Sequence, residues 1–131
     1  MGWQHFTDMT VWQKAMDLTD AVYKLTTLLP KSELFALSDQ MRRAAISVPS
    51  NIAEGHGRQS EKAFRQFLSI AKGSVCELET QIYIGIRQGF FSREDAQHVM
   101  NLCTEVRKML TSLTMRSVSH VAQNSKLKSQ N

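Results

Sequence analysis

The chain reads as an all-α protein, an up-down-up-down antiparallel four-helix bundle. Three observations predict this: apolar residues recur at steps of three and four in four successive segments, no segment alternates like a strand, and short connections join the segments. A length of 131 residues fits one domain that buries most of what its unfolded form exposes. The near-heptad stripes predict shallow, left-handed crossings of about 20°.

The first helix opens after Asp8, read as its N-cap, and places Val11, Ala15, Leu18, Val22, Leu25 and Leu29 on one face before Pro30 ends it. The second begins near Ser32, carries Leu34, Leu37, Met41, Ala44, Val48 and Ile52 inward, and closes at Gly55 to Gly57. Pro49 lies inside it, without an N–H for the Ala45 carbonyl and with a ring that crowds it. Because the apolar register continues from Ala44 through Val48 to Ile52, the expectation is one helix kinked at the proline, the alternative being a short loop at Ser47 to Ser50.

The third helix follows Ser60 and is the most regular, with Phe64, Leu68, Ala71, Val75, Leu78 and Ile82 inward and Gly89 as its C-cap. Gly73 and Gly85 inside it cost about 1 kcal/mol each relative to alanine, and their expected use is close approach of a neighbouring backbone. The fourth starts at Ser92, with Asp95 completing a capping box and Phe91 placed to staple on Ala96; Val99, Cys103, Val106, Leu110 and Leu113 form its core face. The bundle is therefore expected over 1–113, with 114–131 a basic, polar C-terminal tail, frayed or disordered.

Composition is ordinary for a globular protein, at 42% hydrophobic and 21% charged, and no apolar run approaches the roughly 18 residues that span a bilayer. With no signal-like N-terminal segment either, the expected location is cytoplasmic, away from any membrane. Cys76 and Cys103 form no CxxC pair and are expected as reduced thiols packed like small apolar residues. The +4 net charge is uneven, because no acid follows Glu105 whereas Arg107, Lys108, Arg116, Lys126 and Lys128 do. Such a balance favours anionic partners.

No catalytic or cofactor chemistry is expected. No glutamate has a histidine three residues on, as a di-metal bundle site needs, and Glu94 with His98 is a single pair on one helix. Gly55-His56-Gly57 lacks the lysine and the strand–loop–helix setting of a phosphate loop, and no nucleophile stands with a base. The chain reads as a non-enzyme with no metal and no cofactor.

A polar stripe remains. Gln40, Arg43, Ser47, Asn51, Glu54 and Arg58 recur at steps of three and four beside the apolar face of the second helix, and Ser74, Glu77 and Gln81 form a matching row on the third. The expected structural network has Arg43 meeting Glu77 across the seam and Asn51 satisfying the carbonyl that Pro49 frees. The alternative to this favoured network is that a second copy of the chain or a ligand matches the stripe.

The runs Val11-Trp12-Gln13-Lys14-Ala15, Gln40-x-x-Arg43-Ala44-x-x-Ser47-Val48-Pro49-Ser50-Asn51-Ile52-Ala53-Glu54-Gly55 and Gly73-Ser74-x-x-Glu77-Leu78-Glu79-Thr80 occur in that order. Over Phe6 to Leu113 the chain thus resembles the bacterial four-helix-bundle proteins encoded in intervening sequences of 23S ribosomal RNA genes. That family is similar to the accessory variability determinant of diversity-generating retroelements, a basic homopentamer that associates with reverse transcriptase and nucleic acid. The resemblance implies a homo-oligomer, a pentamer; no motif here supports carrying over a reverse transcriptase partner.

The leading expectation is a non-enzymatic oligomer whose basic residues contact RNA or DNA phosphates, with Arg42, Arg58, Lys62, Arg65, Lys72, Arg87, Arg107, Lys108 and Arg116 as candidates. Trp12, Tyr23, Phe64, Phe67 and Tyr83 lie on or near apolar faces and are expected as core or subunit contacts. The alternative is a protein-interaction scaffold that never touches nucleic acid, supported by the extra apolar rows Trp12, Met16, Tyr23 and Phe67, Ile70, Ile84.

Overall fold

The computed structural model describes residues 3–130, with side chains through Ser117. Four helices form: α1 (Thr10–Thr26), α2 (Leu37–Gly57), α3 (Glu61–Arg87) and α4 (Arg93–Gln130), with short 3-10 turns at Phe6–Asp8 and Lys31–Glu33. Among the described residues there is no strand. α1 packs on α2 and α4, α3 packs on α2 and α4, and among the described residues the backbones of the diagonal pairs do not come close, so the helices stand at the corners of a square. Connections this short force successive helices to run antiparallel.

The apolar stripes meet in one core. Val11, Ala15, Leu18, Val22 and Leu25 of α1 face Met41, Ala44, Ala45, Val48 and Ile52 of α2, Leu68, Ala71, Val75, Leu78 and Ile82 of α3, and Val99, Cys103, Val106, Leu110 and Leu113 of α4. Two N-caps are made as their sequences specify. Ser60 Oγ accepts from Ala63 N, and in the capping box Asp95 N donates to Ser92 Oγ while Ser92 N donates to Asp95 Oδ2. α3 ends in a Schellman motif: Gly89, at φ +75°, turns the chain so that Phe90 N bonds Gly85 O and Gly89 N bonds Ile86 O. The returning Phe91 ring lies over Gly85, where a Cβ would stand 2.3 Å from Phe91 Cζ. That glycine is used for close approach within the chain; at Gly73 a Cβ would meet nothing within 4 Å.

Several local expectations are corrected. The N-cap of α1 is Met9, not Asp8, because residues 6–8 coil into a 3-10 turn whose cap is His5. α2 begins at Leu37 rather than near Ser32, since residues 31–33 form their own turn, and Leu34 is left 48% exposed instead of in the core. α2 then runs unbroken through Pro49, which excludes the loop at Ser47 to Ser50. The carbonyl that Pro49 frees is not met by Asn51. Thr19 of α1 donates from Oγ1 to Ala45 O at 3.3 Å, sharing its one proton with Ala15 O at 2.9 Å, while Asn51 Nδ2 donates to Ser47 O. α4 keeps its helical backbone past Leu113 to Gln130, and Ser117 is buried and donates to Glu61 at the start of α3. The Lys126 and Lys128 side chains of the expected tail lie outside the described residues.

Candidate functional site

The polar stripe forms a seam between α2 and α3, though not as charges meeting. Asn51 Nδ2 donates to Ser47 Oγ at 2.9 Å, Ser47 and Ser74 hydroxyls meet at 2.8 Å, and Ser74 Oγ donates to Ile70 O at 3.2 Å. One proton per hydroxyl orders these as a relay from Asn51 to the α3 backbone. Arg43 does not reach Glu77: its Nε bonds Asp39 Oδ2 at 2.9 Å, one turn back on its own helix, because both side chains point outward from α2. Glu54 is likewise taken by Arg58 at 2.8 Å. Gln81, only 5% exposed, donates to Glu77 Oε1 at 3.4 Å, and its own Oε1 has no partner. Gln40 is exposed at the solvent edge of the seam.

Helical phase sorts the nine basic candidates. On α3, Lys62, Arg65, Ser69, Lys72, Cys76, Glu79, Tyr83 and Arg87 follow one another at steps of three or four, so they form a single row about 37 Å long. This row lies on the α4 side, since Arg107 Nε bonds Glu79 Oε1 at 3.0 Å and Ser117 bonds Glu61. Across the groove, α4 presents the half-buried row Met100, Thr104, Arg107, Thr111 and Thr114, with Lys108 just outside it. Thr104, Thr111 and Thr114 each donate to a carbonyl of their own helix. Six candidates thus share this flank: Lys62, Arg65, Lys72 and Arg87 from α3, Arg107 and Lys108 from α4. Among the described residues, Glu61 and Glu79 are the carboxylates that phase places there, and both are bonded. Arg65 Nη1 is buried with no hydrogen-bond partner among the described residues.

The remaining three stand elsewhere. Arg42 faces α1, bonding Thr26 Oγ1 at 3.1 Å with its guanidinium over the Tyr23 ring at 4.9 Å. Arg58 caps the far end of α2, over the Phe67 ring at 5.2 Å. Arg116 lies toward α1, where with Trp3, Met9 and Leu113 it borders a cleft of about 290 Å³. A neighbouring cleft of about 320 Å³ is lined by Trp3, His56, Arg58, Gln59, Ser60, Glu61 and Phe64, with His56 Nε2 3.1 Å from Trp3 O.

Sequence reasoning missed two features of the α3 row. Cys76 is exposed on it, not packed as an apolar residue, because its phase falls between Lys72 and Glu79; Cys103 is fully buried, and that burial, helped by the Glu79 carboxylate, pushes its thiol up to about 12. Tyr83 stands on the same row and is 44% exposed. The steps of three and four that placed the basic residues would have placed both. Among the described residues no three His, Cys, Asp or Glu side chains cluster to hold a metal, and no helix is long and apolar enough to cross a membrane.

The comparisons fit this architecture. A crystal structure of a protein of unknown function from the S23 ribosomal protein family of Bacteroides thetaiotaomicron superposes with a TM-score of 0.74 at 28% identity, over 80% of this chain and 98% of that one. Curated proteins give no match. The profile of the 23S rRNA-intervening sequence protein family matches residues 7–112, which takes in all of α1, α2 and α3 and most of the packed part of α4. The chain belongs to the 23S rRNA-intervening sequence protein family.

Proposed function

We propose that this chain is a non-enzymatic homo-oligomer, a pentamer by resemblance, that holds nucleic acid, RNA in the first place, through its phosphates. One observation carries the reading: six of the nine basic candidates share the α3–α4 flank, and the two carboxylates among them are engaged with Arg107 and Ser117. Lys62, Arg65, Lys72, Arg87 and Lys108 are left without a carboxylate partner among the described residues. Phosphate is an anion that such cations can neutralise, and contacts of this kind carry no sequence preference. Outward-facing Ile70 and Ile84 support a subunit contact on the other side of α3.

Light scattering after size exclusion tests the assembly; five copies of a 14.9 kDa chain come to about 75 kDa. Binding of a labelled structured RNA across a salt series tests the ligand. If five cations per protomer neutralise phosphates, log K falls against log salt with a slope of about −3.5 to −4.5. A monomer removes the oligomer. An oligomer with no RNA affinity at low salt removes the nucleic-acid reading and leaves the protein scaffold, which the exposed Met16, Ile70 and Ile84 then favour.

A further inference from the structure

We infer that the strand held on the α3–α4 flank is single-stranded, with Tyr83 as the platform on which an unpaired base stacks. This rests on the nucleic-acid reading above and adds to it the class of ligand.

Two tyrosines have nearly equal exposure, Tyr23 at 43% and Tyr83 at 44%, but their surroundings differ. The face of Tyr23 is taken by the Arg42 guanidinium. Over Tyr83, among the described residues, there is neither an aromatic ring nor a guanidinium. Its phase puts it on the cationic row, four residues after Glu79 and four before Arg87, so its helical neighbours are a carboxylate and an arginine. The carboxylate does not repel a phosphate there, because Arg107 compensates it at 3.0 Å. Arg107 is in that sense a positioning residue: it holds Glu79 and keeps the row net positive between Lys72 and Tyr83.

A cationic groove that includes an uncovered aromatic ring is the arrangement that binds single strands, since a duplex keeps its bases stacked inside and offers only phosphates. From Tyr83 to Arg65 the α3 axis rises about 27 Å, a span that takes several nucleotides of one strand. Arg65, which has no carboxylate partner among the described residues, stands at the far end of that span. Cys76 lies midway, and its exposed thiol is a built-in reporter of what covers the row.

The test uses the full chain with a fluorescein-labelled twelve-nucleotide uridine RNA and a twelve-base-pair RNA duplex, by fluorescence anisotropy at fixed low salt. The expectation is that Tyr83→Ala weakens single-strand binding about fivefold or more and leaves the duplex within twofold, while Tyr83→Phe keeps both. Lys62→Gln with Lys72→Gln weakens both ligands, and the single strand slows alkylation of Cys76. A Tyr83→Ala protein that binds the single strand as the native chain does, or loses both ligands equally, overturns the stacking platform. Bound RNA that leaves Cys76 alkylation unchanged overturns the placement on this flank. If the native chain binds neither RNA, the nucleic-acid reading itself falls, an outcome distinct from either.

Discussion

Two glycines twelve residues apart on α3 should respond to the same substitution with opposite sign. At Gly85 an added Cβ would stand 2.3, 2.7 and 3.0 Å from three atoms of the Phe91 ring. That ring is buried under the Schellman turn and cannot simply swing aside, so Gly85→Ala must shift the turn or push the ring outward. Overpacking of this kind costs about 1–3 kcal/mol, and the close approach of three ring atoms argues for the upper half of that range. Against it stands the helix-propensity gain of alanine over glycine, about 1 kcal/mol. The net is a destabilisation of about 1–2 kcal/mol. At Gly73 the added methyl meets nothing, so Gly73→Ala keeps only the gain, about 1 kcal/mol of stabilisation. The two variants should therefore differ by about 2–3 kcal/mol, or roughly 10 °C in Tm for a domain of this size. Urea and thermal melts of both at equal protein concentration measure the difference, with light scattering on each. Equal stabilisation of the two would refute the packing of Phe91 on Gly85. A Gly73→Ala chain that is destabilised and loses mass would refute the open space above Gly73 by placing another subunit's backbone there.

Two further substitutions probe the core. Thr19→Val keeps the shape of the side chain but removes the proton that reaches Ala45 O, the carbonyl freed by Pro49; it should cost about 1 kcal/mol in urea melts, whereas Thr104→Val, whose hydroxyl serves only Met100 O of its own helix, should cost clearly less. Equal costs would mean that the Ala45 carbonyl does not depend on Thr19. Cys103 ionises near 9.0 when unfolded and near 12 when folded, so folding holds its proton and stability falls as pH rises above 9. The difference between the native chain and Cys103→Ala should narrow by about 1.4 kcal/mol per pH unit between pH 9 and 12, and at pH 8 iodoacetamide should modify Cys76 alone. A parallel pair of stability curves, or early modification of Cys103, would show that its thiol is not buried as described.

The helices were legible because their signals are local. Stripes at steps of three and four, Ser60 and the Ser92–Asp95 box at two N-termini, and Gly89 after α3 each act within a few residues, and each is where the spacing put it. Asp8, read as an N-cap, and Ser32, read as a helix start, misled for a related reason: each lies inside a short 3-10 turn, Phe6–Asp8 and Lys31–Glu33, that the residue pattern does not set apart from the start of an α-helix.

The candidate flank was legible residue by residue but not as a surface. Periodicity names Lys62, Arg65, Lys72 and Arg87 as off the apolar stripe, yet which neighbour covers that side of α3 is decided only when α4 packs there and Arg107 takes Glu79. The same packing left Tyr83 and Cys76 open and let Arg42 cover Tyr23. It also answered the polar stripe differently from the pairing that opposite charges suggest, because an outward-facing Arg43 finds Asp39 one turn away more readily than Glu77 on the next helix. What the sequence determined by itself is therefore the set of helices, the caps at Ser60, Ser92 and Gly89, and the inward faces, all products of short-range geometry. Only the tertiary structure decided who meets whom across the seams: Thr19 with the Ala45 carbonyl, Ser47 with Ser74, Phe91 with Gly85, and six cations on one flank, since those contacts depend on how the finished helices are rotated and spaced against one another.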